Sequence, residues 1–371
     1  MRKKSGSQSK LKKDVLEQSL CTGCGACVGL CPYQVVHQDR TVQLFDCDLA
    51  DGKCYAFCPR TPADLELIRE SLFKADDLTP EIGAVKGYYL SRAADPGLRA
   101  LAQHGGTVTA LLEVAMAHGL INSAIVSSRN DEGEQEGRQV ENPSQLRDYA
   151  KSKFTVSPTV AAFHRLMDDG VKKVGVVATP CQALALAKMK TAKIPGYQKA
   201  ETLKLVIGLF CGWALALERF GGLLKKYRLS MGETREGVTS VPLAEADACA
   251  RTACRYCIDS TAEFADLSVG AARYGGGCDE MRGWNQIIVR SERGRQLLEL
   301  AVAGGALEIR EAPMSSLQNL KNAAADKKRK ALKNIVEKSH SVNDLLYLKS
   351  DDPVVKRYLD TGLKKRQKVT I

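Results

Sequence analysis

The sequence predicts an α/β protein: a layered α/β unit with a small cysteine-rich block in front of it and a basic helical segment behind. Three observations predict this. Seven of the 13 Cys fall within residues 14–75. From about Lys86 onward, strand-like and helix-like stretches alternate. The net charge of +11 sits near the ends: residues 1–13 carry +6, 321–338 carry +5 and 356–371 carry +5, so the rest of the chain carries −5. At 371 residues, 44% hydrophobic and 26% charged, the chain can bury a sizeable core in two or three domains. A disulfide-stapled miniprotein and a globally disordered chain are excluded.

Taken in order, residues 1–13 read as a basic disordered tail and 14–75 as a cysteine-held block short of periodic apolar runs. The layered unit begins with a strand at Lys86–Arg92, a helix at Thr107–His118 and a strand at Ile121–Ser127. Arg129–Asn142, with Asn130-Asp131-Glu132-Gly133, reads as a polar surface loop. Then come Lys172–Ala178 as a strand, Gln182–Met189 as a helix, Leu203–Phe210 as a buried strand and Trp213–Tyr227 as a helix. Past Gly270 the pattern gives a glycine loop at Gly275–Gly277, a strand at Gln286–Arg290, a helix at Gly294–Ala303 and a basic helix near Lys321–Lys338. The stretch from Ser341 carries no chemical signal. The domain boundaries expected are 1–13, 14–75, 80–165, 166–320 and a basic helical segment over 321–371.

The basic segments lack the interleaved aromatics or reading helix of a nucleic-acid interface, so solvated ends or docking onto an acidic partner is the expectation. Leu11–Leu20 supplies no apolar signal-peptide core. The longest apolar run, Leu205–Leu217, has 13 residues, short of the roughly 18–20 that span a bilayer. A cytoplasmic protein without a membrane span is expected, its thiols belonging to a reducing interior.

Cys21-Thr-Gly-Cys24-Gly-Ala-Cys27-Val-Gly-Leu-Cys31-Pro32 is C-x2-C-x2-C-x3-C-P. Three thiolates on one tight loop suit three irons of a cubane, and the fourth reaches a second cluster. Structural zinc instead uses paired knuckles split by a longer insert. Cys47-x6-Cys54-x3-Cys58-Pro59 is an incomplete copy, with Asp51 near the place of the missing Cys. In the crossed arrangement Cys21, Cys24, Cys27 and Cys58 hold one four-iron cluster. Cys31, Cys47 and Cys54 remain for the other, completed by Asp51, by solvent, or left as a three-iron site; an empty second site is the alternative. Farther on, Thr179-Pro180-Cys181-Gln182 and Phe210-Cys211-Gly212 each end a strand, so both thiols reach one edge of a parallel sheet. Cys254-Arg-Tyr-Cys257 adds two more, and spacing alone leaves zinc and iron–sulfur comparable there.

Several blocks carry a resemblance. They are Ala102-Gln-His-Gly-Gly-Thr-Val-Thr-Ala-Leu-Leu112, Lys151-Ser-Lys-Phe-Thr-Val-Ser-Pro158, Ala178-Thr-Pro-Cys-Gln182, Leu205-Val-Ile-Gly-Leu-Phe-Cys211, Ala253-Cys-Arg-Tyr-Cys257, Thr261-Ala-Glu-Phe-Ala-Asp-Leu-Ser-Val-Gly270 and Gly283-Trp-Asn-Gln-Ile-Ile-Val-Arg290. In this order, across about residues 85–335, the chain resembles the beta-subunit family of coenzyme F420 hydrogenases and dehydrogenases, with the ferredoxin-like extension that many members carry. The resemblance implies a flavin-binding α/β domain with FAD beside a four-iron cluster. Matched residue by residue, Cys181, Cys211, Cys254 and Cys257 would be that cluster's ligands. Gly105, Gly106, Thr107 and Thr109, then Lys151, Lys153 and Ser157, would line the flavin. Cys249 and Cys278 fall outside the matched positions and read as spare thiols.

The function so implied is an iron–sulfur flavoprotein oxidoreductase subunit. It would pass electrons between a hydride carrier such as coenzyme F420 and an acidic redox partner or ferredoxin, through FAD and two or three 4Fe-4S clusters. The rivals are a stand-alone ferredoxin-dependent reductase similar to the chlorophyll-pathway reductases, and a non-catalytic electron relay.

Overall fold

The computed structural model describes residues 6–130, 134–192, 194, 197, 199–229, 241–272 and 283–364. The front block starts with helix α1 (Ser7–Leu11), which runs into a π-type turn at Lys12–Leu16. Hairpin β1 (Gln34–His37) and β2 (Arg40–Gln43) follows, with Gln34 opposite Gln43. Helix α2 (Lys53–Ala56) and helix α3 (Leu65–Leu72) close the block, and the Asp64 carboxylate caps α3 by accepting the Leu67 N–H. A two-residue ladder of β3 (Leu78–Thr79) and β4 (Gly83–Ala84) leads into the sheet.

The layered unit runs β5 (Gly87–Ala93), α4 (Pro96–Leu101), α5 (Thr107–Ala117), β6 (Ser123–Arg129), β7 (Gln135–Val140), α6 (Thr159–Asp168), β8 (Val174–Ala178), α7 (Pro180–Thr191), β9 (Leu203–Leu209) and α8 (Leu217–Lys226). It continues with α9 (Leu243–Ala248), β10 (Leu267–Ala271), β11 (Asn285–Val289), α10 (Glu292–Ala303), β12 (Leu307–Glu311), α11 (Met314–Ser339) and α12 (Pro353–Lys364). Among the described residues eight strands form one sheet in the order β12-β5-β11-β10-β9-β8-β6-β7. Strands β6, β8, β9 and β10 are parallel, and β5 points the same way because β11 is antiparallel to both β5 and β10. The interior strand β8, Val-Gly-Val-Val-Ala, is buried along its whole length, as a strand covered on both faces must be.

Helices α5 and α10 cover one face, where Leu111, Leu112, Leu297 and Leu298 meet Val126, Ile207 and Ile287. On the other face, Val160, Phe163 and Leu186 of α6 and α7 meet Ile125, Val176 and Val206. Phe57, Leu65 and Ile68 of the front block belong to that same core, as do Leu332 and Ile335 of α11 and Tyr347 and Tyr358 near the chain's end. The front block is thus packed into the sheet unit and does not hang on a linker.

Four expectations are corrected. The stretch read as a loop over Arg129–Asn142 contains β7, an edge strand paired along its length with β6. Its inward residues Gln135 and Gly137 are not apolar, so no alternation of hydrophobicity announces it. The helix expected from Trp213 starts at Leu217, because Leu215 and Ala216 are tied instead to Phe154 and Cys249 by backbone bonds of 2.8 Å each. Residues 7–11, expected within a disordered tail, form α1, with Leu11 1% exposed and the Ser7 N–H bonded to the Leu49 carbonyl. The basic segment 321–338 is not wholly solvated, since Lys328 of α11 is 1% exposed. The glycine loop at Gly275–Gly277 and Cys278 lie outside the described residues. Among the described residues no helix is long and apolar enough to cross a membrane.

Candidate functional site

Strands that point the same way end on one edge, and in open α/β sheets that carboxyl edge is where ligands bind. Cys181 follows β8 as the second residue of α7, inside a capping box formed by Thr179 and Gln182. Cys211 follows β9, its N–H held by the Ser260 carbonyl at 2.9 Å. Cys254 and Cys257 come from a 3-10 turn at Thr252–Tyr256, where the Ala214 N–H points at the Cys254 sulfur at 3.4 Å. The structure gathers these four thiols: Cys211 lies within electrostatic reach of Cys254, Cys181 and Cys257. Burial pushes the thiols of Cys181 and Cys211 upward. For Cys257 burial acts in the same sense, but Lys327 and Arg60 outweigh it and hold the thiol below its usual value.

The front block gathers its thiols crosswise. Cys27 has Cys21, Cys58 and Cys24 as neighbours, so the last Cys of the second motif joins the first three of the first motif. Cys54 has Cys31 and Cys47 beside it, together with the Gln34 amide. Asp51 is exposed. The Cys21–Cys27 loop turns through Gly23 and Gly25 at φ of +68° and +82°, where a side chain would be strained. A Cβ on Gly25 would also lie 2.8 Å from the Ala161 nitrogen of α6. Backbone N–H groups reach the sulfurs, Thr41 to Cys21 at 3.5 Å and Arg60 to Cys58 at 3.4 Å. Burial drives Cys24 and Cys27 far above the usual thiol range and Cys58 to about 11, and neighbouring thiols add to the effect at each. Buried thiols that repel one another in this way are stable as thiolates only around a cationic core. Among the described residues no three His, Cys, Asp or Glu side chains are arranged to hold a single metal ion. A cubane, in contrast, carries its ligands on its outer corners, and the three gathered sets fit that chemistry.

The first front set adjoins the edge set: Arg60, two residues after Cys58, reaches the Ala253 and Tyr256 carbonyls of the Cys254–Cys257 turn, and Cys24 lies within electrostatic reach of Cys181. Around that junction lie buried and half-buried cations that sequence reasoning missed. Arg60 donates to the carbonyls of Ala253 (3.1 Å) and Tyr256 (3.3 Å) and lies over the Tyr347 ring at 4.5 Å. Burial opposes its charge, but Tyr347, Cys257 and Cys181 more than compensate. Lys188 donates to the Cys58 carbonyl (2.6 Å) and the Thr61 hydroxyl (2.9 Å), and burial lowers its pKa to about 8. Lys327 donates to the carbonyls of Cys211 (2.7 Å) and Asp259 (2.8 Å). The position of Arg60, directly after Cys58-Pro59, was an available signal; Lys327 was hidden in a run of seven bases.

Along the same edge stand the residues matched to a flavin. Gly106, at φ +74°, caps α5, and a Cβ on Gly105 would come within 2.9 Å of the Gly283 carbonyl. The fold itself therefore needs both glycines. Thr107 is fully buried, with its hydroxyl 3.0 Å from that of Ser91, and Thr109 is buried. Ser157 donates to Gln135 at 3.1 Å. Lys151 and Lys153 are exposed, and Lys153 lies near the like charges of Arg129 and Lys151. That gathering of cations at the end of β6 suits an anionic, phosphate-bearing cofactor. Cys249 is a buried thiol in a side cluster with Leu215 and Leu223.

Residues 88–164 match the model for the N-terminal part of the coenzyme F420 hydrogenase/dehydrogenase beta subunit, and residues 171–315 match its C-terminal part. Residues 15–37 match a 4Fe-4S binding domain. The coenzyme F420 hydrogenase subunit beta of Methanothermobacter thermautotrophicus is 31% identical over 273 residues, 68% of this chain and 95% of that protein. The coenzyme F420-dependent sulfite reductase of Methanocaldococcus jannaschii is 27% identical over 76% of this chain and 46% of its own length. A chain from a xenon-derivatised F420-reducing [NiFe] hydrogenase complex of Methanosarcina barkeri shares the fold, with a TM-score of 0.64 at 23% identity over 71% of this chain and 96% of that one. This protein is an oxidoreductase of the coenzyme F420 hydrogenase/dehydrogenase beta-subunit family, with a 4Fe-4S block joined to its front.

Proposed function

We propose that the chain passes electrons between reduced or oxidised coenzyme F420 and a redox partner, through FAD at the carboxyl edge and iron–sulfur centres that lead away from it. The observation that carries this reading is the adjacency of the two thiol sets: Arg60, two residues after Cys58, donates to the Ala253 and Tyr256 carbonyls of the Cys254–Cys257 turn, and Cys24 lies within electrostatic reach of Cys181. When bound, FAD supplies two-electron hydride exchange together with one-electron release to iron–sulfur centres. In this reading Cys181, Cys211, Cys254 and Cys257 hold the edge cluster and Cys21, Cys24, Cys27 and Cys58 the first front cluster. Cys31, Cys47 and Cys54 hold the second. Arg60 and Lys327 keep positive charge against the edge cluster, which favours its reduced, more negative state. Lys151, Lys153 and Arg129 offer charge to the phosphates of the dinucleotide, and the Gly105–Thr109 turn sets the position of α5 beside it. Relatives are named as hydrogenase subunits, so the chain would work within an assembly.

The test is cofactor analysis of anaerobically purified protein, followed by mixing with reduced coenzyme F420. Release of FAD on denaturation and bleaching of the bound flavin by reduced coenzyme F420 are expected. Iron without flavin would make the chain a relay. Flavin reduced by ferredoxin but not by coenzyme F420 would make it a ferredoxin-dependent reductase.

A further inference from the structure

The second front set has one thiol fewer than the first, so a cubane held by Cys31, Cys47 and Cys54 leaves one iron without cysteine. Asp51 is exposed, on a turn held from outside by Ser7, whose hydroxyl donates to the Ala50 carbonyl (2.7 Å) and accepts from the Gly52 N–H (2.6 Å). Gln34 differs in every respect. It is 2% exposed, with its amide beside the Cys54 thiol, and its amide oxygen has no hydrogen-bond partner among the described residues. A buried amide left in that state is costly, and native proteins rarely keep one without a partner. The backbone offers no escape, because Gln34 is held in the β1–β2 ladder opposite Gln43. Gln34 also follows Cys31 by three residues, so the segment that brings one thiol to the set brings the amide with it.

We propose that the second centre is a four-iron cluster held by Cys31, Cys47 and Cys54, with the Gln34 amide oxygen as the fourth ligand. This rests on the reading that the second thiol set holds iron. An amide oxygen is neutral and binds iron more weakly than a thiolate. The centre therefore carries one negative charge less than a four-cysteine cluster, and its oxygen-bound iron is the first to leave on oxidation.

The experiment uses the full chain, loaded anaerobically, as wild type and as Gln34→Leu, Gln34→Glu, Asp51→Ala and Cys54→Ala, with iron analysis, electron paramagnetic resonance and Mössbauer spectroscopy. Gln34→Leu is expected to lose one iron per chain as Fe2+ and, once ferricyanide has removed one electron from the three-iron core that is left, to show the oxidised three-iron signal. Gln34→Glu keeps an oxygen donor and is expected to keep the iron, at a lower midpoint potential. Asp51→Ala is expected to match wild type. The signals of the other two centres report whether each variant has folded. An unchanged spectrum in Gln34→Leu overturns the proposal, as does iron loss in Asp51→Ala or a three-iron signal in untreated wild type. Cys54→Ala separates the two levels: iron content equal to wild type removes the second centre itself, and the proposal with it.

Discussion

Cys24 and Cys27, 6% and 7% exposed, lie against α6 and the carboxyl edge, whereas Cys31 and Cys47 are only half-buried beside an exposed apolar rim of Tyr33, Leu44, Phe45 and Leu49. Both halves of the front block derive from one cysteine spacing, yet they are seated by different means. The first half is tied into the sheet unit through its carbonyls: Cys21 by Arg251 at 2.8 Å, Cys24 by the Val160 N–H at 3.3 Å and Cys58 by Lys188 at 2.6 Å. His164 Nε2 lies 3.1 Å from the carbonyl of Ala26. The second half is held chiefly by α1, where Ser7 pins the 50–52 turn and Gln8 Oε1 accepts the Cys47 N–H at 2.7 Å. The difference teaches that the complete motif is built into the sheet unit, whereas the incomplete one is held near solvent by α1.

Substitutions can break or sharpen this contrast. The largest effect is expected from Cys58→Ala, which should remove about four irons and detach the junction from the carboxyl edge; iron analysis and loss of electron flow from the flavin to an external acceptor check it. Arg251→Ala comes next. It breaks the ion pair with Asp39 and the bond to the Cys21 carbonyl, at about 2–3 kcal/mol for charged hydrogen bonds, read by urea unfolding of the loaded chain. Lys188→Met should cost about 1–3 kcal/mol, because the carbonyls of Cys58 and Thr61 and the Thr61 hydroxyl would each lose a charged donor in a buried site. The smallest effect is expected from Ser7→Ala, about 1 kcal/mol, with faster iron release from the second centre alone in a chelator challenge. If Ser7→Ala instead released iron from both centres at equal rates, the two halves would be one cooperative unit and the contrast would fail.

Much of this was legible in the residues. The strands at β5, β6, β8, β9 and β11 fall within one or two positions of their predicted runs, since interior strands of a sheet covered on both faces are short and largely apolar. β7 was not legible, because an edge strand beside solvent needs only backbone pairing, and Gln135, Glu136 and Arg138 disguise it. The crosswise grouping of the front thiols followed from the spacing. Asp51 and Gln34 could not be ranked from spacing, because exposure at one position and burial at the other arise from α1 and the β1–β2 hairpin closing around the site. Nor could the basic run over 321–338 be divided into solvated and inward-facing charges, since residue type does not reveal that Lys327 and Lys328 lie on the face of α11 turned to Asp259 and Glu263.

What the sequence by itself determined is local: the loop through Gly23 and Gly25 that presents three thiols together, the strand ends that expose Cys181 and Cys211, and the concentration of charge in particular segments. Covalent spacing and backbone conformation are enough for these. The tertiary structure alone decided that Cys24 comes within electrostatic reach of Cys181, 157 residues away in the chain, and that Arg60 closes onto the Ala253–Tyr256 turn. Such contacts depend on which faces the apolar core draws together. The net charge of +11 changes meaning for the same reason, because a charge seated beside buried thiols by packing acts on them strongly, whereas one in water is screened.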